Sequence, residues 1–154
     1  MQTPGFQGIT IRCRNDGKSA GYRRAFDVKT PIAPVVTSAA ERPVEHSATG
    51  FVSWHTLISG NITPTDTLTA GLATVPAREG RLELHRHEDP EIYFIVEGTG
   101  IMTIDGQDTN VGPGTTIFIP GNAEHGIRNE SAADLKFFYV FATDQFPDVV
   151  YRYS

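Results

Sequence analysis

From Phe51 onward the chain is a succession of short segments rich in Val, Ile, Thr, Phe and Tyr, bounded by Gly, Pro, Asn or Asp. Such segments are typical of β-strands, and none of them shows a convincing helical period. The predicted strands cover residues 51–58, 68–76, 81–87, 91–97, 100–104, 115–119, 126–129 and 135–141. Asp105-Gly106 predicts a two-residue hairpin turn of type I′ after the fifth strand. This spacing predicts an all-β fold, an antiparallel sandwich or barrel.

The first fifty residues have a different character. Several glycines and prolines interrupt them, and only a short edge strand is compatible with the prolines between Val28 and Val36. We therefore expect residues 1–50 to form a partly irregular N-terminal arm that packs on the barrel or on a partner subunit. Residues 51–154 are expected to form the barrel domain.

Charge and composition narrow the possible functions. Thirteen basic residues face eighteen acidic ones, for a net charge of −5, and the basic residues form no cluster. This argues against a nucleic-acid or anionic membrane partner. Cys13 is the single cysteine, so no internal disulfide can form. Neither a signal-peptide pattern nor an apolar run of about 18 residues is present, and we expect a cytoplasmic protein.

Three histidines and one carboxylate have the spacing of a metal site. His85, His87, Glu91 and His125 form an H-x-H-x3-E…H pattern. Because side chains alternate along a strand, His85 and His87 lie on the same face of their strand, and Glu91 and Tyr93 lie on the same face of the next strand. A turn at residues 88–90 would direct both pairs to one interior point. The nitrogen and oxygen ligand set suits one divalent transition metal ion, with Fe(II) preferred and Mn, Ni, Co, Cu or Zn as alternatives.

Glycine and proline landmarks around these residues resemble those of the cupin superfamily. The two matching patterns are Gly80-x4-His85-x-His87-x3-Glu91-x6-Gly98 and Gly114-x5-Pro120-x4-His125-x3-Asn129. They depart from the family in one missing residue before His85 and in Asn122, which stands where glycine is usual but tolerates left-handed backbone. The resemblance implies a cupin-type antiparallel β-barrel, or double-stranded jelly roll, with the metal at its open end and a tendency to dimerise.

Tyr93 is the residue that distinguishes among cupin activities. Its side chain is expected beside the metal, where the phenol could act as a general base, and Tyr93 and Glu91 are the candidate catalytic residues. Small cupin lyases that cleave dimethylsulfoniopropionate carry a similar metal set followed by such a tyrosine. The resemblance implies β-elimination on a small carboxylate-bearing molecule. A non-heme iron dioxygenase and a non-catalytic metal- or ligand-binding cupin are the alternatives, and core packing is the alternative for Tyr93.

Further residues near the motifs have simpler interpretations. Tyr139 is predicted to line the barrel, and Trp54 to contribute packing. Strand alternation places Arg86 and Arg128 away from the cavity, whereas an arginine such as Arg78 or Arg81 could bind a substrate carboxylate. The strand 135–141 is apolar on both faces from Phe137 to Phe141, which predicts that a partner or the N-terminal arm covers its outer side, and we expect a homodimer.

Overall fold

The computed structural model describes residues 31–49 and 51–154, which hold eleven strands and two short 3₁₀ helices. The 3₁₀ helices are Ala39–Glu41 and Phe146–Asp148. The strands are β1 (Glu45–His46), β2 (Ser53–Ile58), β3 (Thr69–Val75), β4 (Arg81–Arg86), β5 (Glu91–Glu97), β6 (Gly100–Ile104), β7 (Gln107–Val111), β8 (Thr116–Ile119), β9 (His125–Arg128), β10 (Leu135–Phe141) and β11 (Arg152–Tyr153).

The strands form two antiparallel sheets. One has six strands in the order β1-β2-β3-β10-β5-β8, and the other has five in the order β11-β4-β9-β6-β7. Some neighbours in a sheet are consecutive in sequence, such as β6 and β7, but others are distant, as in the pairing of β10 with both β3 and β5. The predicted all-β jelly roll is confirmed. Among residues 31–49 and 51–154, no helix is long and apolar enough to cross a membrane.

Alternation along β5 and β10 separates an interior face from an exterior face. Glu91, Tyr93 and Ile95 of β5 are buried, whereas their neighbours Ile92, Phe94 and Val96 are exposed. The inward residues of β10, Phe137, Tyr139 and Phe141, pair with those of β5 and complete the core. The prediction that Glu91 and Tyr93 share the inward face of β5 is therefore confirmed. The outer face of β5 is apolar as well, and the homodimer stays a prediction.

The eight predicted strands agree with the observed ones to within two residues at each end, and β1, β7 and β11 are additional. The hairpin turn forms at Asp105 and Gly106, whose φ angles are 46° and 77°, and β7 is the returning strand. Two-residue strands β1 and β11 had not been predicted. The edge strand allowed between Val28 and Val36 is not formed over residues 31–36, where Pro31 and Pro34 remove backbone donors. Residues 1–30 of the predicted arm, and Gly50, lie outside the described residues.

Gly71 on β3 is required by the packing of Tyr139. A Cβ atom at this position would overlap the Tyr139 hydroxyl and ring, and would lie 2.6 Å from the carbonyl oxygen of His55. We expect Gly71→Ala to lower the free energy of unfolding by about 1–3 kcal/mol, measured by urea denaturation. Gly112→Ala is the matched control, since its Cβ would meet only Thr99 Cγ2 at 3.6 Å. Equal stability of the two variants would contradict this packing role.

Candidate metal centre

The four predicted ligands meet at one buried point. His85 is the penultimate residue of β4 and lies opposite His125, which begins β9, while His87 and Glu91 flank the turn from β4 to β5. The histidine ligand atoms lie within 4.8 Å of one another. The Oε2 atom of Glu91 is 3.4 Å from the Nε2 atoms of both His87 and His125. None of the four residues is more than 2% exposed.

Backbone carbonyls determine which imidazole nitrogen faces the cluster. His85 Nδ1 donates to the carbonyl of Glu83 at 2.8 Å, and His87 Nδ1 donates to that of Asp89 at the same distance. His125 Nδ1 donates to Ala123 at 2.9 Å. A carbonyl oxygen can only accept, so each Nδ1 carries the proton and each neutral ring presents an Nε2 lone pair to the cluster. This is the orientation that metal-binding histidines require.

The lone pairs at the centre of the cluster lack a partner. The three Nε2 atoms and Glu91 Oε2 are buried without a hydrogen-bond partner among the described residues. Four buried acceptors that face one another are costly unless a cation lies between them. A divalent transition metal ion fits this donor set of three imidazoles and one carboxylate. The histidine group can hold a metal ion, and Glu91 is placed to be the fourth ligand.

Burial makes the metal-free cluster sensitive to acid. The pKa of His85 is lowered from 6.5 to about 3, mainly because the ring is buried and also because His125 lies beside it. The unfolded chain therefore takes up a proton near pH 6.5 that the folded metal-free protein takes up only near pH 3. As the pH falls through this interval, we expect the titration of His85 to lower the free energy of unfolding by about 1.4 kcal/mol per pH unit.

Urea denaturation of the metal-free protein between about pH 7 and pH 5 measures this slope. His85→Gln removes the titrating group and should reduce the slope by the contribution of one proton. An identical slope in the wild type and His85→Gln would contradict the assignment to His85.

A cavity of about 320 Å³ adjoins the cluster through Glu91. Seven of its lining residues are aromatic: Trp54, Tyr93, Phe137, Tyr139, Phe146, Tyr151 and Tyr153. Among the described residues that line it, none is Lys or Arg, and Glu91 is the one carboxylate. The cavity therefore offers aromatic faces and negative charge beside the cluster.

Tyr93 is a buried residue of the cavity wall. Its ring is 4.2 Å from that of Phe137 and 6.4 Å from that of His125, measured between centroids. The pKa of the Tyr93 phenol is raised well above 10, mainly because the side chain is buried and also because the Glu91 carboxylate is near. In the metal-free protein the phenol therefore keeps its proton.

The arginines near the motifs do not reach the cavity. Arg86 pairs with Glu124 at 2.8 Å and Arg128 with Asp108 at 2.7 Å, both on the outside, as strand alternation predicts. Arg81 pairs with Glu83 at 2.6 Å. Arg78 is also absent from the cavity lining, so none of these four arginines lines the cavity. Trp54, predicted to contribute packing, lines the cavity, and its Nε1 has no hydrogen-bond partner within residues 31–49 and 51–154.

Tyr151 was missed by the sequence analysis. It follows the last 3₁₀ helix, and its ring stacks on His85 at 4.6 Å between centroids with 24° between the planes. The one signal was the alternation Tyr151-Arg152-Tyr153. Three residues are too few to predict a strand, and nothing in the pattern indicates that this strand pairs with β4.

Comparisons with known proteins agree with this architecture. The cupin domain family matches residues 71–141. The dimethylsulfoniopropionate lyase DddW of Ruegeria pomeroyi is 39% identical over 106 residues, which span 68% of this chain and 68% of the lyase. An acireductone dioxygenase of Rhodopseudomonas palustris is 43% identical over 56 residues, and these cover 34% of each chain. The polyketide cyclase RemF from Streptomyces resistomycificus superposes with a TM-score of 0.67 at 20% identity, covering 79% of this chain and 85% of the cyclase.

These relatives are enzymes, and they include a lyase and a dioxygenase. The prediction of an enzyme, a lyase or a dioxygenase, is therefore confirmed by the activities of these relatives. The likeness to the cyclase, at 20% identity, shows the shared fold. With its two-sheet architecture and a relative 39% identical over 68% of both chains, the chain belongs to the cupin superfamily.

Proposed function

We propose that this protein is a metal-dependent lyase that cleaves dimethylsulfoniopropionate or a close analogue into acrylate and dimethyl sulfide. The observation that carries the proposal is the position of Tyr93, a buried phenol in a cavity that shares Glu91 with the candidate metal centre. The similarity to DddW over two thirds of both chains supports the same reaction class.

The lining of the cavity suits a substrate with a positively charged end. Aromatic faces attract an onium group, and the attraction increases where water is excluded. A sulfonium would meet aromatic rings there, with no Lys or Arg among the lining residues to repel it. A purely anionic substrate gains nothing from these residues. The chemistry of the wall thus favours a zwitterion with a sulfonium and a carboxylate.

The residues can be assigned as follows. His85, His87, Glu91 and His125 would hold one divalent ion, for which Fe(II) is our preferred choice. A bound ion would supply positive charge that lowers the pKa of the Tyr93 phenol and increases the acidity of the proton next to a nearby carboxylate. Tyr93 Oη, as the phenolate, removes the α-proton. The carbanionic electron pair forms the Cα–Cβ double bond, the Cβ–S bond breaks, and sulfur leaves with its electron pair as neutral dimethyl sulfide.

A non-heme dioxygenase is the second candidate function. The observation in its favour is the local identity of 43% to acireductone dioxygenase, although this covers only 34% of either chain. Four protein ligands also leave up to two positions of an octahedral ion, as O₂ and a chelating substrate require. The cavity wall gives no comparable support, because it lacks a cationic residue for an anionic chelator.

Two assays on one preparation distinguish these functions. Iron-loaded protein is incubated under nitrogen with dimethylsulfoniopropionate, and acrylate and dimethyl sulfide are quantified. The same protein is then given catechol- and diketone-type compounds in an oxygen electrode. We expect equimolar acrylate and dimethyl sulfide and no oxygen uptake. Oxygen uptake without lyase products would favour the dioxygenase, and neither activity would favour a binding protein.

A further inference from the structure

The C-terminal strap, defined here as residues 149–154, lies against the candidate metal centre. Val149 is buried, and Arg152–Tyr153 pair as β11 with β4, where Tyr153 is opposite His85. The backbone N–H of Ser154 donates to the Leu84 carbonyl at 3.2 Å. Val149 and Tyr151 both line the cavity. The strap therefore forms part of the wall between the cluster and its surroundings.

Tyr151 contacts two of the candidate ligands through its ring. Its centroid is 4.6 Å from that of His85 in a stacked arrangement and 5.5 Å from that of His87 in an edge-on arrangement. The hydrogen bond from His85 Nδ1 to the carbonyl of Glu83 holds the ring at one atom, and the rings of His125 and Tyr153 lie 4.2 Å and 5.9 Å away between centroids. One hydrogen bond fixes one atom of the imidazole but permits the ring to tilt about it. The stacked phenol restricts that tilt and fixes the direction of the Nε2 lone pair.

Apart from the buried Val149 and the ring of Tyr151, the strap is held by exposed contacts, among them a hydrogen bond from the Ser154 hydroxyl to Glu124. Its ion pair, between Arg152 and Glu88 at 3.0 Å, joins side chains that are 50% and 78% exposed. Strand β11 contributes only two residue pairs to the sheet. Exposed ion pairs stabilise little, and a short edge strand can open without unfolding the core. The strap can therefore separate from β4 while the two sheets stay folded.

We propose that Tyr151 is a positioning residue of the metal centre, and that the C-terminal strap thereby controls the release of the ion. Tyr151 orients His85 and covers the cluster, so the ion dissociates mainly when the strap opens. This inference rests on the metal-binding part of the proposed function and is independent of the reaction that the protein catalyses.

Release of Co²⁺ to a chelator tests this role without any substrate. Protein loaded with Co²⁺ is mixed with excess EDTA, and the visible absorption band of the bound ion is followed with time. We expect Tyr151→Ala to release Co²⁺ about 10–100 times faster than the wild type, as substitutions around metal ligands typically do. Tyr151→Phe keeps the ring and should keep the wild-type rate. Tyr153→Ala truncates the other strap tyrosine, whose ring is 62% exposed and lies farther from that of His85, at 5.9 Å, and it should have a smaller effect.

The possible outcomes separate this inference from the proposed function. A wild-type protein that takes up no Co²⁺ overturns the metal centre itself. Uptake with equal release rates for the wild type and Tyr151→Ala overturns only the positioning role. Circular dichroism of the metal-free variants checks that they fold. If Tyr151→Ala does not fold, Tyr151→Leu keeps an apolar side chain in the strap without the stacked ring, and a wild-type release rate in that variant counts against the positioning role.

Discussion

Tyr93→Phe is expected to lower the turnover of dimethylsulfoniopropionate by about 10²–10⁴-fold, the usual contribution of a general base. The substitution removes one oxygen atom and leaves the aromatic ring that packs against Phe137. Metal content should not change, because the three histidines and Glu91 keep their positions. Acrylate formation by the iron-loaded variant, normalised to bound iron, measures the effect.

Tyr139→Phe is the matched control for this prediction. Tyr139 is also a buried tyrosine of the same cavity wall, and it is paired with Tyr93 across β10 and β5. The Tyr139 hydroxyl lies against Gly71 of β3, and the sequence analysis predicted that this residue lines the barrel. We expect a much smaller loss of turnover in this variant. Comparable losses in the two variants would assign the effect to the cavity in general, and full activity of Tyr93→Phe would exclude Tyr93 as the base.

His125→Ala is expected to weaken metal binding by on the order of 100-fold or more, since loss of a ligand should cost at least as much as loss of a residue that orients one. His125 is the candidate ligand contributed by β9, and its Nε2 lies 3.4 Å from Glu91 Oε2. Its removal leaves the cluster open on that side. Competition with a chromogenic chelator gives the affinity, and elemental analysis gives the content after dialysis.

His46→Ala is the control with the same chemical change. His46 is exposed and lines the same cavity, but it does not belong to the histidine cluster. Its substitution should leave the metal content close to one ion per chain. Equal affinities of His125→Ala and the wild type would show that the ion binds elsewhere.

Local sequence patterns predicted most of the fold and of the cluster. The alternation of β5 placed Glu91 and Tyr93 inside, and both are buried. The alternation of side chains along β4 and β9 also predicted that Arg86 and Arg128 lie outside, where they pair with acidic residues. These predictions succeeded because each depends on the period of a strand and on a turn of definite geometry, such as Asp105-Gly106.

Long-range pairing produced the features that the sequence did not reveal. Strands β1 and β11 have two residues each, and they exist because β2 and β4 offer an edge to pair with. Tyr151 reaches His85 only because β11 returns to β4, over sixty residues after that strand. The role of Trp54 as cavity wall likewise depends on the distant Phe146, whose ring centroid is 6.0 Å away. No local period encodes such contacts.

X-ray absorption at the metal edge of the iron-loaded protein tests most directly whether His85, His87, Glu91 and His125 hold the ion. We predict a first shell of nitrogen and oxygen only, with outer-shell scattering from three imidazoles and close to one ion per chain. His125→Ala, loaded at high metal concentration, should retain two imidazoles. A shell that contains sulfur, or a wild-type spectrum without imidazole scattering, would contradict the assignment of the metal centre.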